Sequence, residues 1–385
     1  MRDREVHTPV YVADMAAVSA LGDTLEAMWP RLCRAESAAA AVTRFSTERL
    51  EFHEAACIAG LARPGFPEGG RVAELLRRVL GQLRPVPTDT RIIWTGVKGN
   101  VDFLECGHEV EKRGCLRFPY EYRELAGRIL GIEPRGFEIN AACASSTAGL
   151  ALGAQMIASG ECESVLVCAA DIVSRFTFTG FSALKALSPT VCRPFDARRD
   201  GLCLGDGAAA ILLASEEAAA KHHLPILARL TGWGVANDAN HITGPARDAF
   251  GLIAAIRSAL EQAGLPPDRV EAFSAHGTGT PYNDGMELTA LETVFGSRRF
   301  PLFSIKGATG HTLGAAGALE AAVSVRALRE RRIPATPGLE EPEERAAGRA
   351  APLPQPFAGN NILTSNSGFG GVNAALVLEA VDCRL

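Results

Sequence analysis

Two stretches of this chain repeat one another at nearly a single interval. Gly205-Asp-Gly-Ala-Ala-Ala-Ile-Leu-Leu laid on Gly370-Gly-Val-Asn-Ala-Ala-Leu-Val-Leu gives an offset of 165 residues, and Ile139 laid on Ile305 gives 166. Around both anchors, strand, small-residue loop and helix alternate, which is the pattern of an α/β fold. A duplicated α/β unit leaves few architectures open, because the two copies must pack against each other to bury their remaining apolar faces. The chain reads as two similar halves, residues 1–224 and 225–385, divided near Leu224. A site is expected at their shared interface.

In the first half, the strand Gly136-Phe-Glu-Ile139 turns through Cys143 into a helix of small residues: Ala144, Ser145, Ser146, Ala148, Gly149, Ala151, Gly153 and Ala154. Side chains this small let another backbone approach closely, so the helix is expected to be central and buried. Cys143 at its N-terminus would face unpaired N–H groups and the positive end of the helix dipole, which stabilise a thiolate and lower its pKa. A free cysteine is more commonly a buried structural residue, and this segment alone leaves both readings open.

Further strands are expected at Val10–Asp14, Arg91–Thr95, Ser164–Ala170, Ala208–Ala214, Val270–Ala275, Pro301–Lys306, Asn361–Ser365 and Ala374–Leu378. Helices are expected at Thr24–Cys33, Val72–Leu83 and Ala246–Ala263, and the stretch from Ser37 to Gly70 reads as surface loop. The connection from Phe176 to Gly201 is long enough to carry function.

Composition narrows the function classes. With 47% hydrophobic and 22% charged residues, the chain is a folded globular protein. A net charge of −5 without long runs of one sign points away from nucleic acid and membrane surfaces as partners. The most apolar late helix contains Glu320 and Arg326, against a membrane span. The N-terminal residues carry mixed charge and no apolar core, unlike a signal peptide. Ten scattered cysteines without a C-x-x-C pair suggest neither a disulfide framework nor a metal site, and indicate a reducing cytoplasm.

Three later stretches bear on chemistry. Ser274-Ala-His276-Gly-Thr278-Gly-Thr280 places a histidine just past a strand, in a loop whose glycines admit a ligand. Lys306-Gly-Ala-Thr-Gly-His311 places a cation and an imidazole before the second small-residue helix, where the dipole keeps the imidazole neutral and fit to donate a hydrogen bond. Asn366-Ser-Gly-Phe369-Gly-Gly371 is a glycine turn with an aromatic tip. One cysteine and two histidines suit acyl transfer through a covalent thioester.

These four motifs, A-Cys143-A-S-S, His276-G-T-G-T, Lys306-G-A-T-G-His311-T-L-G-A-A-G and G-Phe369-G-G-V-N, resemble those of the elongating β-ketoacyl-carrier-protein synthases of the thiolase superfamily. The resemblance runs in order across nearly the whole chain. It implies a duplicated fold of five αβαβα layers and a dimer, either of like chains or with a related ketosynthase-like subunit. It implies no resident cofactor, since substrates arrive on the phosphopantetheine arm of an acyl carrier protein. In this reading Cys143 accepts the acyl chain, with backbone N–H groups of Cys143 and Phe369 as the oxyanion hole. His276 and His311 stabilise the enolate formed when a malonyl thioester loses carbon dioxide, and the resulting carbanion attacks the acyl-Cys143 thioester. Lys306, paired with Glu320, tunes the histidines. Thr278 and Thr280 resemble pantetheine-binding threonines, Phe369 and Asp238 resemble gating positions, and Lys185 resembles a basic contact for the carrier.

Related activities separate on the same residues. Thiolases carry a second cysteine in the C-terminal glycine turn, which here reads Gly368-Phe-Gly-Gly371, and initiating synthases have Asn where this chain has His311. A non-catalytic, chain-length-determining scaffold subunit would lack the nucleophile, although a heterodimer subunit with a retained but little-used Cys143 is the competing reading. The chain departs from the elongating pattern in lacking a Phe before the G-F-G-G turn, in a short loop after Ser188, and in an abbreviated region between Gly60 and Pro134.

Overall fold

The computed structural model describes residues 8–61, 70–101, 105 and 118–381. Part of the abbreviated Gly60–Pro134 region, and the N-terminal residues read against a signal peptide, lie outside them.

Among the described residues, ten strands form one hydrogen-bonded series: β1 (Val10–Ser19), β2 (Arg91–Thr95), β3 (Gly136–Ile139), β4 (Ser164–Asp171), β5 (Gly207–Ser215), β6 (Ala228–Asn237), β7 (Phe273–Ser274), β8 (Leu302–Phe303), β9 (Asn361–Ser367) and β10 (Val372–Glu379). Their spatial order is β8-β7-β9-β10-β6-β1-β5-β4-β2-β3. Cut between β6 and β1, the series becomes two five-stranded leaves of identical order. In each, the successive pairings are antiparallel, antiparallel, parallel and parallel. A short antiparallel contact of Val10–Val12 with Ala228–Leu230 joins them.

Alternating strand residues divide the apolar side chains between layers. Ile93, Val165, Val167, Ile211 and Leu213 point inward, while Ile92, Trp94, Leu166, Cys168 and Leu212 lie under the helices Gly70–Leu80 and Pro119–Leu130. In the second leaf, Ile362, Leu376 and Leu378 point inward, and Leu363, Ala375 and Val377 lie under Phe250–Ala263 and Pro281–Phe295. Between the leaves run the helices Ser145–Ala158 and Ala316–Glu330, packed on each other and on strands of both leaves. The result is the five-layer αβαβα arrangement of the thiolase-like fold. Small residues are needed in the middle layer: a Cβ on Gly317 would lie 1.9 Å from Thr147 Oγ1.

Several elements end elsewhere than local pattern suggests. β1 continues past Asp14 to Ser19 through a register shift between Val12 and Asp14, with the Asp14 carboxylate accepting the N–H groups of Met15 and Arg84. The helix expected from Ala246 starts at Phe250, because Ala249 adopts φ +58°. The strands expected over Val270–Ala275 and Pro301–Lys306 shorten to two residues each, and Lys306 opens a helical turn, Lys306–Thr309. There the Ser304 hydroxyl accepts the Lys306 N–H and donates to Gly277 O, so side-chain bonds replace strand pairing.

Candidate active site

The nucleophile candidate sits on a strained turn. After β3 the chain makes one turn of 3₁₀ helix, Ala142–Ala144, with Ala142 at φ +49°, a conformation that costs a non-glycine residue about 1 kcal/mol. Side chains hold it there. Asn140 Oδ1 accepts the Ala142 N–H at 3.2 Å, and the Ser145 hydroxyl donates to Ala142 O at 2.6 Å while accepting from Ala141 N–H at 2.9 Å. Cys143 is only 5% exposed, and the Phe369 backbone N–H donates to its sulfur. Burial pushes the thiol up to about 12, and the Asp171 carboxylate adds to this. Lys306, the Phe369 N–H and Lys98 pull the other way. The expectation of a thiol depressed by its helix N-terminus is therefore corrected: in the closed pocket, desolvation outweighs the local dipole.

His276 follows β7 in a loop clamped by two buried carboxylates from one helix. Glu287 accepts the N–H groups of His276 and Gly277, both at 2.7 Å, and Asp284 accepts those of Thr278 and Phe195 at 3.0 and 2.8 Å. Burial, reinforced by the Asp284 charge, pushes Glu287 up to about 8. Thr280 caps the same helix, and its hydroxyl lies 2.9 Å from that of Thr278.

The tautomer of His276 follows from its neighbours. Its Nδ1 faces two donors, Lys306 Nζ at 3.3 Å and Asn366 Nδ2 at 3.0 Å, so Nδ1 accepts and the proton resides on Nε2. Lys306, 1% exposed, also donates to His276 O at 2.5 Å and pairs with Glu320. Burial pushes the Glu320 carboxyl up against the pull of Lys306. The two imidazoles meet edge to face at 5.1 Å. Burial first and the Lys306 charge second hold both well below the usual imidazole range, so both are neutral. His311 is fixed through its backbone, donating to Cys203 O at 2.6 Å and accepting from Gly205 N–H at 3.0 Å.

Cys143, His276, His311, Thr278, Thr280, Phe369, Asp238 and Lys185 all line one cavity of about 500 Å³, while Lys306 and Glu320 lie beneath it. Phe369 stacks on Phe181, ring centroids 5.5 Å apart. Its turn seats against the nucleophile loop only because residue 368 is glycine: a Cβ there would lie 2.5 Å from Ala141 O. Asp238, read as a gating position, anchors the loop beside the Phe369 turn, accepting from Asn373 Nδ2 at 2.7 Å and Ala246 N–H at 3.0 Å, while its own N–H donates to Gly371 O at 2.8 Å. Lys185, 80% exposed, stands at the rim 3.9 Å from Glu51.

Four further residues belong to the site. Asn366 joins His276, Glu320 (2.7 Å) and Thr147 (2.5 Å); Asp284 and Glu287 hold the His276 loop; and Asp171, 4% exposed, accepts from Val97 and Gly314. Asn366, Asp284 and Asp171 lie in or beside motifs the sequence singles out, but their partners are up to 219 residues away.

Residues 117–219 match the domain described as "Beta-ketoacyl synthase, N-terminal domain" and residues 227–340 the one described as "Beta-ketoacyl synthase, C-terminal domain", together more than half of the chain. A 3-oxoacyl-[acyl-carrier-protein] synthase 2 of Coxiella burnetii is 37% identical over 250 residues, covering 62% of this chain and 60% of that protein's length. One of the same description from Staphylococcus aureus is 27% identical over 412 aligned positions, covering 97% and 98%. The solved structure described as the ishigamide ketosynthase/chain length factor superposes with a TM-score of 0.88 at 27% identity, over 98% of this chain and 100% of that one. Domain matches in both halves, the fold and the cysteine-histidine pocket agree: the chain belongs to the β-ketoacyl synthase family.

Proposed function

We propose that this protein is a β-ketoacyl-carrier-protein synthase that extends an enzyme-bound acyl chain by two carbons from a malonyl thioester. The observation that carries this reading is the convergence of Cys143, His276 and His311 on one cavity, with His276 Nδ1 occupied by donors so that its Nε2–H is left for the substrate. Cys143 Sγ attacks an acyl-carrier thioester; the pantetheine sulfur leaves with the thiol proton, and the N–H groups of Cys143 and Phe369 hold the tetrahedral oxygen. In the second half-reaction the two neutral imidazoles donate to the malonyl thioester carbonyl. Carbon dioxide departs, the enolate carbon attacks the acyl-Cys143 carbonyl, and Cys143 leaves as the thiolate. Lys306 and Glu320 keep His276 in the donating tautomer. Thr278 and Thr280 bind the pantetheine arm, and Lys185 meets the acidic carrier.

The edge strand β3, with Phe137 48% exposed, supports pairing with a second ketosynthase-type chain, alike or related. The repeated strand order supports the division into residues 1–224 and 225–385. No helix among the described residues is long and apolar enough to cross a membrane, in keeping with a cytoplasmic setting. Intact mass measured after incubation with a panel of acyl-carrier thioesters tests the assignment. A mass gain of one acyl group, lost as 3-oxoacyl-carrier on adding malonyl-carrier, is the expected result; no gain with any acyl group would sink it and favour a scaffold role.

Phe369 gates entry in this scheme. Phe369→Ala should fold and acylate Cys143 normally, but condense more slowly, by roughly tenfold, and accept a wider range of acyl chains. Unchanged rate and preference, measured with separate acyl and malonyl carriers, would reduce the ring to packing.

A further inference from the structure

One buried charge within this site has no part in the chemistry above. Asp171 ends β4 and points between the two central helix starts. Its carboxylate accepts the Gly314 N–H at 2.8 Å and the Val97 N–H at 3.1 Å. Gly314 lies three residues past His311, in the 3₁₀ turn Leu313–Ala315, which packs against the Ala142–Ala144 turn carrying Cys143. From Val97 the chain of bonds continues through Val97 O to Asn140 Nδ2 at 2.9 Å, and from Asn140 Oδ1 to the Ala142 N–H. Asp171 is thus bonded to the His311 segment directly and to the nucleophile turn through two relays. Of the described charged groups, Lys306, Asp171 and Lys98 act on Cys143; His276 and His311 share its cavity, whose wall also carries Asp200, Asp238, His241 and Lys185. Among the charges acting on the thiol Asp171 is the negative one, and two N–H bonds plus the partial compensation of Lys98 sustain it there.

We propose that Asp171 is a positioning residue that fixes Cys143 relative to His311 and, through its charge, adds to the burial that disfavours the resting thiolate. This rests on Cys143 being the nucleophile, but not on which acyl group it carries. The two roles predict opposite effects of one substitution. Asp171→Asn keeps one acceptor and loses the charge, so the thiolate becomes easier to form while the alignment loosens. Alkylation of Cys143 by iodoacetamide, followed by peptide mass, should have its pH midpoint moved down and run roughly three- to tenfold faster at pH 8, equivalent to a half to one pKa unit. Condensation should fall at the same time. The difference should shrink below pH 7, because burial raises Asp171 to about 7 and the carboxyl is neutral in the wild type below that.

A purely structural Asp171 would slow both reactions or leave alkylation unmoved, and either result overturns the proposal. Alkylation needs no carrier, so its outcome is separate from whether the condensing assignment holds. Should Asp171→Asn not fold, Lys98→Met, at an exposed position, tests the charge balance with the sign reversed: it should move the midpoint up, and an unmoved or lowered midpoint overturns the proposal.

Discussion

Cys143→Ala should take up no acyl group from any carrier thioester, and condensation should fall by at least roughly 10⁴-fold, because the proposed covalent nucleophile is removed. Nine other cysteines are present, yet among the described ones only Cys143 lines the cavity with both histidines. Cys168 and Cys203 are buried elsewhere, with thiols pushed higher still. Intact mass before and after digestion decides the matter: a label that persists in the variant, or that maps to Cys168 or Cys203, removes Cys143 from the role. Because the thiol is raised, the acylation rate of the wild type should climb with pH across the neutral range, since each unit below the pKa leaves a tenfold smaller thiolate fraction.

The second large effect separates the half-reactions. His276→Ala and His311→Ala should each slow malonyl decarboxylation by about 10²–10³-fold, the cost of removing one preorganised donor from a developing oxyanion, while acyl transfer to Cys143 should survive in part. Both imidazoles are held well below their ordinary range by burial and by Lys306. The neutral donor form therefore persists as pH falls through 6.5, and decarboxylation stays flat there. Carbon dioxide release at the wild-type rate in either variant would take that histidine out of the scheme, and a fall in rate centred near pH 6.5 would contradict the neutral pair.

What could be read in the sequence was what local spacing encodes. Cys143 before a run of Ala, Ser and Gly, the glycines around His276, and the repeat interval are local patterns, and each survived folding. The direction of the Cys143 shift did not, because the dipole is visible in one segment whereas desolvation comes from the whole surround. Asp238 was legible as a gating position by its motif, but its bonds to Asn373 and Ala246, which anchor its loop, come from tertiary packing. Asn366 escaped for the same reason. Its place in the glycine turn was evident, but its bond to His276, 90 residues away, is a product of tertiary packing. The shortened strands at β7 and β8 show the same limit, since Ser304 takes over hydrogen bonds that the apolar pattern assigns to a ladder.

The middle layer has a consequence for how the chain comes apart. Its two helices begin on equivalent turns, with Ala142 at φ +49° and Leu313 at φ +52°, and each helix rests on strands of both leaves. Neither repeat closes its own interior, so a severed half would expose Leu150, Val165 and Ile211 on one side, or Leu319, Val323 and Leu376 on the other. It would also leave its left-handed turn without the opposing segment that braces it. Although the molecule is built from two copies of one unit, its inner core belongs to both, and it should therefore melt as one cooperative block in calorimetry, with the nucleophile and its histidines lost together.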